Sequence, residues 1–107
     1  MVNPFAGEVE IVIDGRAYAL KLTLGALASL EQSLGEGSLV DLVKRFEEGR
    51  FSARDILALI AAGLEGGGHD LRAEDLGKAE IAGGPMGAAR IAAQLLARSF
   101  ALPEART

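Results

Sequence analysis

The Asp14-Gly15 dipeptide lies between two β-favouring runs, and no other stretch constrains the fold as strongly. A two-residue Asp-Gly loop suits the type I′ turn, whose two positive φ angles match the twist of a β-hairpin. That turn sets a register: Ile13 opposite Arg16, Val12 opposite Ala17, Ile11 opposite Tyr18, Glu10 opposite Ala19, Val9 opposite Leu20 and Glu8 opposite Lys21. One face of the ribbon then carries Val9, Ile11, Ile13, Tyr18 and Leu20. The other carries Glu10, Val12, Ala17 and Ala19 beside the Glu8–Lys21 pair. A slip of one residue would scramble both faces, so turn chemistry and apolar pattern agree on one pairing. A two-stranded ribbon is marginal in water on its own, and its apolar face must be covered.

The cover has to come from helices. Thr23 is placed to cap one at 24–34, with Leu24, Leu27, Leu30 and Leu34 as its apolar stripe and Gly35 as its stop. Ser38 caps a second helix at 39–48, with Leu39, Leu42, Val43 and Phe46 at helical spacing and Gly49 after it. Ser52 and Asp55 have capping-box spacing and open a third helix at 53–64, apolar nearly all round and so expected to be the most buried. Three consecutive glycines make 65–69 a loop, and a short acidic helix at 72–78 is anchored by Leu71 and Leu76. Residues 81–84 break the chain again before a last helix at 85–101, with Pro85 in its first turn. Apolar residues are 50 % of the sequence and aromatics only 5 %, so the core must be built from Leu, Ile, Val and Ala. The expected fold is α+β, an N-terminal β-hairpin (8–22) packed on a bundle of four to five α-helices, in a single domain spanning 1–107.

Composition excludes several functions. With no cysteine, a disulfide framework, a thiol nucleophile and a zinc-thiolate site are ruled out. A net charge of −4 without a basic cluster argues against nucleic-acid binding. No apolar run is long enough to cross a bilayer, and the first residues lack a signal-peptide pattern, so a soluble cytoplasmic protein is expected.

No motif for chemistry emerges. His69, near Asp70, Glu74 and Asp75, lacks the further nitrogen or sulfur ligands a first-row metal site wants, and reads as a loop histidine before an acidic first turn. Neither Gly66-Gly67-Gly68 nor Gly83-Gly84-Pro85-Met86-Gly87 matches a phosphate-loop or dinucleotide fingerprint. Ser38 and Ser52 read as caps, and Ser29, Ser33 and Ser99 have no nucleophile-elbow context. Glu47-Glu48 and Glu74-Asp75 read as solvated faces. No catalytic, cofactor-binding or metal-ligating residue is assigned, and no cofactor is expected.

Two surfaces read as partner-facing. Arg90, Gln94 and Arg98 recur every four residues on the last helix, flanked by the small residues Ala88, Ala89, Ala92, Ala93 and Ala97, while Ile91, Leu95, Leu96 and Phe100 are its bulky apolar positions. The second face of the hairpin, Val12 with Ala17 and Ala19, is the other candidate, for a partner strand or for another copy of the chain in a homo-oligomer.

A family resemblance runs along nearly the whole chain. Its residues are Asn3-Pro4, Gly7-Glu8, Asp14-Gly15, Thr23-Leu24-Gly25-Ala26-Leu27-Ala28, Leu30-Glu31 and Leu34-Gly35 in the first half. Later come Gly49-Arg50-Phe51-Ser52-Ala53-Arg54-Asp55, Ala61-Ala62-Gly63-Leu64 with the glycine loop and His69, and the alanine-rich last helix ending Ser99-Phe100. The sequence resembles the small tail proteins of gene transfer agents and related siphophages, a family labelled both phage tail tube protein and tail assembly chaperone. The resemblance implies a chaperone that coats the long amphipathic tape-measure protein until tail tube subunits polymerise around it, with tape-measure and tail tube proteins as partners. Covering such a helix keeps its apolar stripe from aggregating. The tail tube label implies instead rings of β-sandwich, more sheet than one hairpin provides, so the chaperone reading is preferred to a tube or connector subunit.

Overall fold

Asp14 and Gly15 take positive φ of 51° and 81°, as a type I′ turn requires, and the chain reverses there. The strands on either side are β1 (Val9–Ile13) and β2 (Arg16–Leu20). They pair antiparallel in the expected register, from Ile13 with Arg16 to Val9 with Leu20. Five helices follow: α1 (Leu24–Leu34), α2 (Leu39–Glu47), α3 (Ala53–Gly66), α4 (Ala73–Leu76) and α5 (Gly84–Phe100). The fold is α+β. This computed structural model describes residues 7–34 and 38–100; the expected stop at Gly35 lies outside them, as does residue 101 of the last helix.

The caps explain where the helices begin. Thr23 Oγ1 accepts from the Ala26 amide at 3.1 Å and opens α1. Removing that acceptor in Thr23→Ala should cost about 1 kcal/mol, read as a fall of roughly 4–8 °C in the thermal midpoint. Ser38 Oγ accepts from the Asp41 amide at 3.2 Å, and the Asp41 carboxylate accepts in return from the Ser38 amide at 3.4 Å. Ser52 and Asp55 form the same reciprocal box, at 3.1 and 2.9 Å. α2 closes by paired backbone bonds, Gly49 N to the Phe46 carbonyl at 3.3 Å and Arg50 N to the Arg45 carbonyl at 2.8 Å, the Schellman arrangement.

Two apolar clusters share α3 and α5 as a common partition. In the first, the inner hairpin face (Val9, Ile11, Ile13, Leu20) packs on Ile60 and Leu64 of α3, Leu76 of α4 and Ala88 and Leu95 of α5. In the second, Ala26 and Leu30 of α1 and Leu42 of α2 pack on Leu59 and Ala62 of α3 and Ala92 and Leu96 of α5. Because α3 serves both clusters it is buried on two sides, which is why its sequence is apolar almost all round. Each fully buried Leu or Ile contributes roughly 1.5–3 kcal/mol, so the neighbours Leu59 and Ile60 on α3, one in each cluster, weld the hairpin layer to the helical one.

Several local expectations are corrected by this packing. α1 buries Ala26 and Leu30, and Leu24 is 86 % exposed, because the helix meets α3 along a line rotated away from its first leucine. α3 runs on to Gly66 instead of stopping at Leu64, and α4 is a single turn, Ala73–Leu76, rather than 72–78. The glycines at the end of α3 are there for contact. The Lys21 amide donates to the Gly63 carbonyl at 3.0 Å, and a Cβ on Gly66 would lie 1.8 Å from the Lys21 carbonyl oxygen. The break at 81–84 also has a function, since Ile81 forms an antiparallel bridge with Ile13. The Asp14 amide donates to the Glu80 carbonyl at 2.8 Å and the Ala82 amide to the Val12 carbonyl at 3.0 Å. No helix among the described residues is long and apolar enough to cross a membrane.

Candidate partner-binding surface

The surface is assembled from α2 and α5, whose side chains line an open groove of about 330 Å³: Val43, Phe46 and Glu47 from α2, and Ala93, Leu96, Ala97 and Phe100 from α5. Its extension toward the start of α2 adds Leu39, Val40 and Lys44. Amphipathic spacing builds one wall. Leu42 turns fully into the core while Val40 keeps 64 % of its surface in solvent. The stacked rings of Phe46 and Phe51, 4.5 Å apart and nearly parallel, support it from behind. The other wall is α5, where Ala92, Leu95 and Leu96 are buried and Ala93 and Ala97 are exposed. Phe100, assigned from the sequence to the apolar side of this helix, is 42 % exposed at the end of the groove.

An ion pair sets the position of α2. Arg45 donates through Nε to Asp55 Oδ2 and through Nη2 to Asp55 Oδ1, both at 2.9 Å, a two-pronged bond from α2 to the first turn of α3. Burial alone would push the Asp55 carboxyl up, but the Arg45 guanidinium and the Ser52 amide and hydroxyl outweigh it and hold it below the usual range. The bond to Asp55 in turn raises Arg45. Sequence spacing identified Asp55 as half of a capping box and missed its second role, which requires two helices to be in place.

The residues expected to face partners fall on two separate elements. Arg90 and Gln94 are exposed on α5. Arg98, also exposed, donates from Nη1 to the Glu8 carbonyl at 2.6 Å and ties the end of α5 to the entry of β1. On the hairpin, Ala17 is exposed and Val12 and Ala19 are half-buried. The edges beside them are partly occupied. The Val12 carbonyl is taken by Ala82, and the Ala19 carbonyl lies so close to Gly67 that a Cβ there would stand 2.2 Å from it. Neighbouring segments thus cover part of each strand edge, as proteins commonly do with exposed sheet.

Residues weighed for chemistry are engaged structurally. Ser29 Oγ donates to Glu65 at 3.1 Å, Ser33 Oγ to the Ser29 carbonyl at 3.1 Å and Ser99 Oγ to the Leu95 carbonyl at 2.6 Å. His69 packs edge-on against Tyr18, ring centroids 5.0 Å apart, and its Nε2 is buried without a hydrogen-bond partner among the described residues. In that same set no three His, Cys, Asp or Glu side chains are grouped to hold a metal ion.

No curated protein and no solved structure matches the chain. The family described as phage tail tube protein, GTA-gp10, matches residues 6–102. That match takes in both strands, all five helices and the α2–α5 groove, and the chain therefore belongs to this phage tail protein family.

Proposed function

We propose that this protein is a non-enzymatic tail assembly chaperone of a gene transfer agent or prophage, acting in the bacterial cytoplasm on tape-measure and tail tube proteins while the tail is built. The observation that carries the reading is the size of the sheet. A tube wall is made of β-sandwich rings, whereas the described residues pair two five-residue strands and add one isolated bridge. Apolar side chains left in solvent on three helices, Leu24, Val40 and Met86, suit a protein whose task is to cover another chain's apolar stripe. The partner surfaces in this reading are the hairpin face of Val12, Ala17 and Ala19 and the α5 stripe of Arg90, Gln94 and Arg98.

Co-expression with the tape-measure protein of the same particle is the direct test. A stable complex and a gain in tape-measure solubility are expected, and the absence of both would end the chaperone reading. The family description, phage tail tube protein, favours a second reading, a structural subunit of the tail. Mass spectrometry of purified particles separates the two, because stoichiometric incorporation belongs to a subunit and near-absence to a chaperone. His69→Ala should leave partner binding and metal content unchanged, and a loss of either would move the function to the histidine.

A further inference from the structure

The exposed side of α5 carries a row of residues that neither apolar cluster uses. Arg90, Ala93 and Ala97 are exposed, and Phe100 is 42 % exposed at the end of the row. Their separations are three, four and three residues, which is the spacing of a seam that keeps facing one neighbouring helix. The order of separations reads the same in both directions, and so does the order of sizes, with long side chains outside and alanines inside. Such a seam is complementary to itself when a second copy is laid across it antiparallel.

We propose that two copies of this chain pair through α5 about a two-fold axis between Ala93 and Ala97. Ala93 of one copy packs on Ala97 of the second and the reverse, so the centre holds only methyl groups and the helices approach closely. At each end Arg90 of one copy comes to lie on Phe100 of the other, where a guanidinium finds the face of a ring. Charge favours the same arrangement. Glu47 lines the groove alongside Ala97 and Phe100, so the arriving Arg90 also meets a carboxylate. Arg90 makes no ion pair within its own chain among the described residues. Two cations would oppose it: Arg98, which is held on the Glu8 carbonyl, and Lys44, which lines the same end of the groove as Glu47 and Phe100. The groove between α2 and α5 gives the incoming side chain room. The same patch serves on both copies, so the contact closes as a dimer and does not propagate. The proposal does not depend on the tail-assembly role, and it assigns Arg90 of the α5 stripe to a second copy of the chain instead of to a tail protein. It leaves the hairpin face for tail proteins.

Sedimentation equilibrium on the purified full-length chain tests this, from about 1 μM to about 1 mM, the window in which a small interface dissociates. The expected result is a monomer at the low end and a dimer at the high end. Ala97→Glu and Arg90→Glu alter exposed positions, so circular dichroism should be unchanged while each variant stays monomeric throughout. Glu47→Arg should weaken dimerisation, and combining it with Arg90→Glu should restore affinity by about tenfold over either single change. A chain monomeric at every concentration would overturn the proposal, as would a dimer unaffected by Ala97→Glu. A monomer that loses tape-measure capture on Ala97→Glu would assign the seam to a foreign helix and overturn self-pairing, whereas failed tape-measure capture by an intact dimer would count only against the chaperone role.

Discussion

Gly66→Ala should destabilise the protein by about 3 kcal/mol, although the same change in an exposed helix gains up to about 1 kcal/mol from helix propensity. The sign reverses because of what the missing methyl group makes possible. A Cβ on Gly66 would lie 1.8 Å from the Lys21 carbonyl oxygen and 2.9 Å from its carbonyl carbon. Both are backbone atoms at the exit of β2, and no side-chain rotation can move them aside. Relief would require the end of α3 to lift off the hairpin. That would break the bond from the Lys21 amide to the Gly63 carbonyl and loosen Leu20, which is fully buried beneath it. Gly25→Ala is the control. Its Cβ would meet only Thr23 Oγ1, at 3.9 Å, so that variant should gain about 0.5–1 kcal/mol. Urea denaturation of both, fitted with a common slope, gives the comparison. Equal stability of Gly66→Ala and the unaltered chain would show that α3 and β2 do not meet as described.

Asp55→Ala is expected to cost about 2–3 kcal/mol at neutral pH, from the combined loss of a helix cap and two charged hydrogen bonds. Asp55 is 5 % exposed and its carboxylate receives the Ser52 amide and both arms of Arg45. Arg45 keeps 26 % of its side-chain surface in solvent, so its charge can rehydrate after the change, which holds the cost below that of a fully buried orphan. The pH dependence follows from the lowered proton affinity of Asp55 in the folded state. A depressed carboxyl contributes stability that is present above the unfolded-state value, about 3.9, and disappears as pH falls through the lower folded-state value. The stability gap between the unaltered chain and Asp55→Asn should therefore be widest near neutrality and narrow below about pH 4. A gap that stays constant down to strongly acid solution would mean that Asp55 titrates normally and that the Arg45 bond contributes little.

The two residues also show how far local sequence reaches. Asp55 was recognisable because Ser52 stands three positions before it, whereas Arg45 belongs to another helix and enters only when α2 and α3 are packed. Gly66 and Gly67 read as part of a loop because the residues that demand them, Lys21 and Ala19, are distant in the chain. Leu24 was expected inside and Ala26 took its place, since periodicity defines a stripe without saying which side of it meets the neighbouring helix. The Arg90, Gln94 and Arg98 repeat was visible in the sequence, and the structure adds that Arg98 donates to the Glu8 carbonyl. The groove itself was not visible, because its walls come from two helices and Phe100 looked like a core residue.

What the sequence determined by itself were the features enforced within a few residues. These are the turn at Asp14-Gly15 with its register, the caps at Thr23, Ser38 and Ser52, and the family pattern of leucines, glycines and alanines. Each depends on short-range hydrogen bonding or on backbone sterics, which act wherever the local chain is placed. Only the tertiary structure decided where α3 ends, that Ile81 joins the hairpin edge, that Arg45 anchors Asp55, and that Phe100 stands beside Ala97 and Glu47 in an open groove. Those outcomes depend on close packing between segments far apart in the chain, where tenths of an ångström separate a contact from a clash.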